Sequence, residues 1–147
     1  MRGAFELLSA SNGLEVLACS SVYATEAMDD ATGQRDFYNA AAEIGTELEA
    51  DSLLAVCKAI ERRLGREPEP RRHAPRPIDV DLLLLGELEL NEQELVLPHP
   101  AITTRRFVLV PLLELDPELR LPDGRSLAEA LAAVGKGQRV ERVGPLA

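Results

Sequence analysis

The order of hydrophobic and polar positions along the chain predicts alternating helices and strands. Apolar residues at helical spacing predict helices, and alternation of apolar with other residues predicts strands between them. In chain order, the predicted elements are a helix over 1–8, strands over 14–25 and 37–48, a helix over 51–64, a strand over 78–85, a hairpin over 87–97 and a helix over 126–134. For residues 105–110 the pattern leaves helix and strand open. The alternation indicates the α+β class, with helices laid on a largely antiparallel sheet.

Helix ends and loops carry more specific signals. Ser126 and Glu129 have the spacing of a capping box, which predicts the start of the last helix, and Gly135 predicts its end. Residues 66–77 contain four prolines among arginines, which excludes a regular helix and favours a stiff extended loop. Residues 29–35, with few apolar side chains, are predicted to form an exposed loop.

The most informative stretch is Arg-Pro-Ile-Asp-Val-Asp-Leu-Leu-Leu-Leu at residues 76–85. Alternate side chains of a strand point to the same face, so Asp79 and Asp81 are predicted to share one face, with Cα atoms roughly 6 to 7 Å apart. Two carboxylates so close repel each other unless a cation compensates their charge. One or two Mg²⁺ ions held between carboxylates and substrate phosphates would do so, which favours phosphoryl-transfer chemistry. A solvated pair on an edge strand is the alternative.

The distribution of charge favours a small phosphorylated ligand. The net charge of −9 argues against a general nucleic-acid binder, because binding to a phosphate backbone requires a basic surface. Between Lys58 and Arg76, however, seven cations and only three anions occur. We therefore expect small-molecule substrates rich in phosphate, and neither a nucleic acid nor a membrane as partner.

The length and composition are typical of one cytoplasmic domain. The chain of 147 residues fits a single domain over 1–147. No window approaches the roughly 20 apolar residues that cross a bilayer, and the first residues lack the apolar core of a signal peptide. Cys19 and Cys57 match no metal-binding spacing, and both are predicted to be buried, reduced thiols.

Several blocks of the chain resemble the 6-hydroxymethyl-7,8-dihydropterin pyrophosphokinases of folate biosynthesis. The blocks, all in the order of that family, are 76–86, 97–100 and 105–112, together with 20–23, 36–40, 60–61, 65–66 and 121–124. The resemblance covers nearly the whole chain and implies a ferredoxin-like α+β sandwich, a mostly antiparallel sheet with packed helices. It also implies transfer of pyrophosphate from ATP, the co-substrate, to the hydroxymethyl group of the pterin, with release of AMP.

The resemblance assigns roles to individual residues. Asp79 and Asp81 match the ligands of two Mg²⁺ ions that bridge the triphosphate of ATP, where catalysis is mostly positioning and electrostatics. Four residues match the pterin pocket: Phe37 and Phe107 sandwich the ring, Asn39 reads its polar edge and Thr25 lines the pocket. Offset stacking and an amide with both donor and acceptor suit a flat, polar heterocycle.

A second group of residues matches positions near the nucleotide phosphates, where guanidinium groups suit phosphate oxygens. These residues are Arg66, Arg76, His99 and Arg105, of which Arg66 and Arg76 are also expected to assist catalysis. Glu61 is interpreted as a structural ion-pair partner rather than a base. Plainer readings remain open: His99 as a structural histidine, the two phenylalanines as core, and the arginine loop as an ordinary surface.

The chain also departs from the family pattern. Family members begin with a strand and a Gly-Ser-Asn loop that are missing here, so we expect a start codon assigned too far downstream, because a missing central strand would leave unpaired sheet edges. His73, Ala74 and Pro100 replace residues usual in the family.

One alternative is a catalytically impaired relative acting as a binding or scaffold subunit; another is a nucleotidyl or phosphoryl transferase for a different alcohol. A monomer is expected, and a strand-exchanged dimer stays open.

Overall fold

The computed structural model of the chain describes residues 2–26, 36–65, 78–135 and 139–145. Its elements, in chain order, are α1 (Arg2–Ala10), β1 (Leu14–Cys19), β2 (Val22–Glu26), β3 (Asp36–Asn39), β4 (Ala42–Thr46), α2 (Ala50–Gly65), β5 (Leu90–Asn91), β6 (Val96–Leu97), α3 (Arg106–Leu115), α4 (Leu127–Val134) and β7 (Val140–Gly144). The mixture of helices with antiparallel strand pairs confirms the α+β class. The loops predicted over 29–35 and 66–77, and with them Arg66 and Arg76, lie outside the described residues.

Each of the two long strands predicted near the amino terminus is divided in two. β1 pairs with β4 and β2 pairs with β3, both antiparallel. At the division the N–H of Ser20 donates to the carbonyl of Ala41 over 2.8 Å, and the N–H of Ala41 donates to Oγ of Ser20 over 2.8 Å. Because a side-chain hydroxyl replaces a backbone acceptor there, the regular ladder is interrupted. Beyond the break, β7 pairs with the other edge of β2, which gives the order β3-β2-β7.

Two apolar clusters hold the helices on the strands. In the first, α1 packs against β1 and α2; its buried members are Ala4, Leu8 and Ile60. In the second, α3 packs against α4; its buried members are Ala41, Ile102, Leu109, Leu112, Leu121 and Leu127. Helix α3 also contacts β2, β3 and β7. It therefore lies on one face of the three-stranded sheet.

The two helices near the carboxyl terminus settle one open question and confirm one prediction. Residues 105–110 belong mostly to helix α3, because Leu109 and Leu112, three residues apart, are buried on one side. Oγ of Ser126 accepts a hydrogen bond from the N–H of Glu129 over 3.2 Å, so α4 begins where the capping signal predicted. Gly135 ends α4 with φ of 80°, a conformation that glycine adopts without steric cost.

The prediction of a strand over 78–85 is wrong, because the segment belongs to none of the strands in the described ranges. Its apolar side chains are half-buried all the same: Ile78 and Val80 pack on the first cluster, and Leu83 and Leu84 pack on the second. An apolar run predicts burial, and here packing against the helix clusters supplies that burial without a pairing strand. The segment therefore connects the two cores instead of extending a sheet.

Two smaller predictions have clear outcomes. The hairpin over 87–97 is confirmed, since Leu90 and Leu97 pair in an antiparallel ladder of β5 with β6. The prediction for Cys19 is wrong, because the alternation of β1 places it on the exposed side, whereas Cys57 is buried. Among the helices that the structure describes, none has the length and apolar character required to span a membrane.

Candidate active site

The paired carboxylates lie on the exposed side of the segment that follows the arginine-rich loop. Asp79 and Asp81 are exposed, and the residues between and beside them are half-buried. This alternation is the one expected if both carboxylates share one side, which stays a prediction because the segment is not a strand. The backbone N–H of Val80, between them, donates to Oε2 of Glu61 over 2.6 Å. The other oxygen of Glu61 lies 3.4 Å from Nζ of Lys58. Helix α2 thus holds the backbone from which both carboxylates project.

Glu61 illustrates what sequence reasoning found and what it missed. The interpretation as an ion-pair partner is confirmed by the contact with Lys58 on the same helix. The hydrogen bond to Val80 was not predicted, and a separation of nineteen residues leaves no periodic signal that could have indicated it. Glu61 therefore acts through the backbone between the aspartates.

The pKa of the buried Cys57 thiol is affected by the negative charges near this segment. Burial raises the pKa of Cys57 to about 11, and the charges of Glu61 and Asp81 contribute to the raised value. The thiol is therefore protonated at neutral pH and unsuited to act as a nucleophile.

The donor set that the sequence predicts at this segment consists of two exposed carboxylates, Asp79 and Asp81. Within the described ranges, no group of three or more His, Cys, Asp or Glu side chains is arranged to hold a metal ion. Structural and catalytic zinc sites use three or four protein ligands. Mg²⁺ instead keeps several waters and is bound by one or two carboxylates together with substrate phosphates. Asp79 and Asp81 match that second arrangement.

His99 is tied to the same segment by its backbone. Its N–H donates to the carbonyl of Leu83 over 2.9 Å, and its ring Nδ1 accepts from the N–H of Ala101 over 3.0 Å. In a neutral imidazole, acceptance at Nδ1 places the proton on Nε2. The half-buried ring can therefore offer an N–H donor to an anionic ligand.

Three residues predicted to bind the pterin lie on one face of the three-stranded sheet. Thr25 and Phe37 are directly opposite each other in the ladder of β2 with β3, and Asn39 is two residues from Phe37. Residues at this spacing share a face. The hydroxyl of Thr25 lies 3.4 Å from the carbonyl of Phe37 and 3.5 Å from Nδ2 of Asn39, so these hydrogen bonds are long and weak.

Phe107 lies on the helix that faces this sheet. It is the second residue of α3, which contacts both β2 and β3. The guanidinium carbon of Arg105 lies 5.7 Å from the centre of its ring, a cation–π geometry. Phe37 and Phe107 are both half-buried, and neither is among the described members of the two buried clusters.

A polar group that the sequence did not reveal joins α3 to the sheet. We call it the Glu114 cluster: Glu114, Ser21, Tyr23 and Arg142. The carboxylate of Glu114 accepts from the N–H and the hydroxyl of Ser21, each over 3.0 Å, and from the hydroxyl of Tyr23 over 2.5 Å. The hydroxyl of Ser21 accepts in turn from Nε of Arg142 over 2.8 Å. One carboxylate therefore connects a helix with β2 and, through Ser21, with β7.

The hydrogen bonds of the Glu114 cluster shift two pKa values in opposite directions. The bond from Tyr23 is the main cause that lowers the pKa of Glu114, and the bonds from Ser21 add to it. Burial raises the pKa of Tyr23 to about 12, and the hydrogen bond and charge of Glu114 contribute to the raised value. The cluster is therefore an ionised carboxylate held by a protonated phenol at neutral pH.

Comparison with known proteins identifies the family of this chain. The family described as 7,8-dihydro-6-hydroxymethylpterin-pyrophosphokinase (HPPK) matches residues 1–117. A 2-amino-4-hydroxy-6-hydroxymethyldihydropteridine pyrophosphokinase of Methylorubrum extorquens is 44% identical over 97% of this chain and 88% of its own length. An enzyme of the same name from Pseudomonas aeruginosa is 42% identical over 80% of this chain and 72% of its own length. A folate synthesis bifunctional protein of Arabidopsis thaliana is 41% identical over 70% of this chain, which spans 21% of that protein. This chain belongs to the HPPK family.

Proposed function

We propose that this chain transfers the diphosphoryl group of ATP to the hydroxymethyl oxygen of 6-hydroxymethyl-7,8-dihydropterin in folate biosynthesis. In this reaction the alcohol oxygen bonds to the β-phosphorus, the bond between that phosphorus and the oxygen bridging to the α-phosphate breaks, and AMP leaves. The hydroxyl proton passes to solvent. Family membership supports the activity, because relatives with pyrophosphokinase names match most of the chain.

One observation carries the assignment of the reacting centre. Asp79 and Asp81 project together from a segment whose backbone is tied to Glu61 at Val80 and to His99 at Leu83. In the proposal, these carboxylates hold two Mg²⁺ ions, which would neutralise phosphate charge and orient the β-phosphorus. Positioning of this kind is most of what phosphoryl transfer requires.

The proposal gives the remaining predicted residues separate tasks. Phe37 and Phe107 stack on the two faces of the pterin, while Asn39 and Thr25 bind its polar edge. His99 and Arg105 donate to the nucleotide phosphates. Arg66 and Arg76, for which the proposal rests on the sequence alone, add positive charge at the same phosphates.

The direct test is release of AMP that depends on both ATP and the dihydropterin. Asp81→Ala should abolish this release while the protein stays folded, because removing one of two crowded carboxylates relieves their repulsion. Glu94→Ala, which removes an exposed carboxylate from the β5–β6 turn, is the matched control and should retain full turnover. Retained turnover in Asp81→Ala would refute the metal assignment.

The proposal also covers the fold, the oligomeric state and the location of the protein. We propose a ferredoxin-like arrangement of a single domain, a monomer in solution and a cytoplasmic location, as the sequence leads us to expect. The alternative is a catalytically impaired relative that acts as a binding or scaffold subunit. Binding of ATP and pterin with no AMP release by the wild-type chain would support that alternative.

A further inference from the structure

Glu114 and Phe107 lie on the same face of helix α3. They are seven residues apart, which is close to two helical turns and corresponds to about 10 Å along the axis. Glu114, near the carboxyl-terminal end of α3, is hydrogen-bonded to Ser21 and Tyr23. Phe107 lies near the amino-terminal end of the same face. The position of Phe107 above the sheet therefore depends on how the far end of its own helix face is held.

The strand that receives Glu114 also carries part of the candidate pterin site. Tyr23 and Thr25 are two residues apart in β2 and so share a face. The ladder places Asn39 opposite Tyr23 and Phe37 opposite Thr25. The hydroxyl that bonds Glu114 thus projects from the same sheet face as the residues proposed to hold the pterin.

From this geometry we infer that Glu114 is a positioning residue of the pterin site, an inference that rests on the proposed function. Its carboxylate sets the separation between Phe107 on the helix and Phe37 on the sheet. Attraction between stacked rings falls steeply with distance, so that even a gap of a fraction of an ångström removes much of the dispersion energy. A small shift of α3 away from β2 therefore weakens binding of a flat heterocycle.

The fold of α3 does not depend on this carboxylate. Leu109, Pro111 and Leu112 are buried and keep α3 packed in the core, whereas Glu114 is exposed and its bonds join the helix to Ser21 and Tyr23. Variants of Glu114 are therefore expected to keep the core while α3 loses its anchor on β2. This separation allows a positioning effect to be measured apart from loss of folding.

The test compares binding of the two substrates by calorimetry in wild type, Glu114→Ala and Glu114→Gln. Pterin affinity is measured with Mg²⁺ and a saturating non-hydrolysable ATP analogue, and affinity for the analogue is measured alone. Glu114→Ala should weaken pterin binding about tenfold and leave the analogue within about twofold, because only the pterin contacts both α3 and β2. Glu114→Gln should weaken pterin binding less, since its amide oxygen can still accept from Tyr23.

Two further variants keep the test decisive. Ser126→Ala removes the cap of α4 and breaks none of the hydrogen bonds of the Glu114 cluster, so it should lower the melting temperature without changing pterin affinity. Tyr23→Phe removes one hydrogen bond and keeps the ring, so it should give an intermediate loss even if Glu114→Ala does not fold.

The results of these binding measurements distinguish the inference about Glu114 from the proposed function. Pterin affinity unchanged in the Glu114 variants of an active enzyme would overturn this inference alone. Equal losses for the pterin and the analogue, or a loss of pterin affinity in Ser126→Ala, would reduce Glu114 to a structural residue. A wild-type chain that binds neither ligand would overturn the proposed function and this inference together.

Discussion

Oε2 of Glu61 lies 2.6 Å from the backbone nitrogen of Val80, the residue between Asp79 and Asp81. A carboxylate on a regular helix thereby fixes the backbone of a segment that has no strand partner in the described ranges. Phosphoryl transfer depends on precise placement of charged groups, so under the proposed function this interaction would affect the site without touching a substrate.

Glu61→Ala should lower turnover and also reduce the free energy of unfolding by about 1 to 2 kcal/mol, because the half-buried N–H of Val80 loses its acceptor. Lys58→Met is the matched control, since it removes only an ion pair whose lysine is 54% exposed and should change stability by less than about 0.5 kcal/mol. Urea unfolding and AMP release measure the two effects. Equal losses of turnover and of unfolding free energy in both variants would show that the effects come from the ion pair and not from the bond to Val80.

Asp81→Asn should lower the pKa of the Cys57 thiol from its value of about 11. Burial, the main cause of the raised pKa, stays in place, but one nearby negative charge is removed. Thiolate absorbance can be followed against pH in a Cys19→Ser background, because the chain contains only two cysteines. Glu94→Gln, with the same loss of charge in the β5–β6 turn, should leave the pKa of Cys57 unchanged. A pKa that does not respond to Asp81→Asn would contradict the closeness of the aspartate to helix α2.

Phe107→Ala should weaken pterin binding by about 10- to 100-fold, because a stacking surface is lost, while binding of an ATP analogue is retained. The stack of Arg105 on this ring is lost as well, so a small change in nucleotide affinity is expected. Phe107→Leu, which keeps an apolar side chain, separates the loss of stacking from the loss of packing. Comparable losses for the pterin and the nucleotide would count against the stacking role.

The phenol of Tyr23 should titrate with a pKa of about 12 in the folded protein. The chain has two tyrosines and no tryptophan, so tyrosinate absorbance of a Tyr38→Phe variant reports Tyr23 alone. The pKa of Tyr23 in the folded state is raised above the ordinary value of 10, so its contribution to stability is complete below pH 10 and is lost as pH rises to about 12. Glu114→Gln should shift the midpoint downward, because the carboxylate contributes to the raised pKa.

Glu114, the acidic member of the same cluster, makes stability depend on pH in the opposite direction from Tyr23. The pKa of Glu114 is lowered in the folded state, so its contribution to stability is present above the ordinary carboxyl pKa and is lost as pH falls through the lowered value. The difference in unfolding free energy between wild type and Glu114→Gln should therefore shrink in acid. A difference that stays constant down to the acid transition would contradict an ionised Glu114 in the fold.

Local signals predicted the helices well, and they failed where strands depended on partners. The cap at Ser126 and the apolar side of α2 are set by residues three or four positions apart, which a helix brings together by its own geometry. The apolar run over 78–85 predicted burial correctly and pairing incorrectly, because a ladder requires a second strand that the run itself does not specify.

The proposed chemistry of the site rests on residue types in the sequence: two aspartates at strand spacing, aromatic residues and an amide in the order of a known family. Which side chains organise that site was decided only by tertiary structure. Glu61 meets Val80, and Glu114 meets Ser21, across separations of 19 and 93 residues. Periodicity describes neighbours along a helix or strand, whereas such long-range hydrogen bonds form only when packed apolar surfaces bring distant segments together.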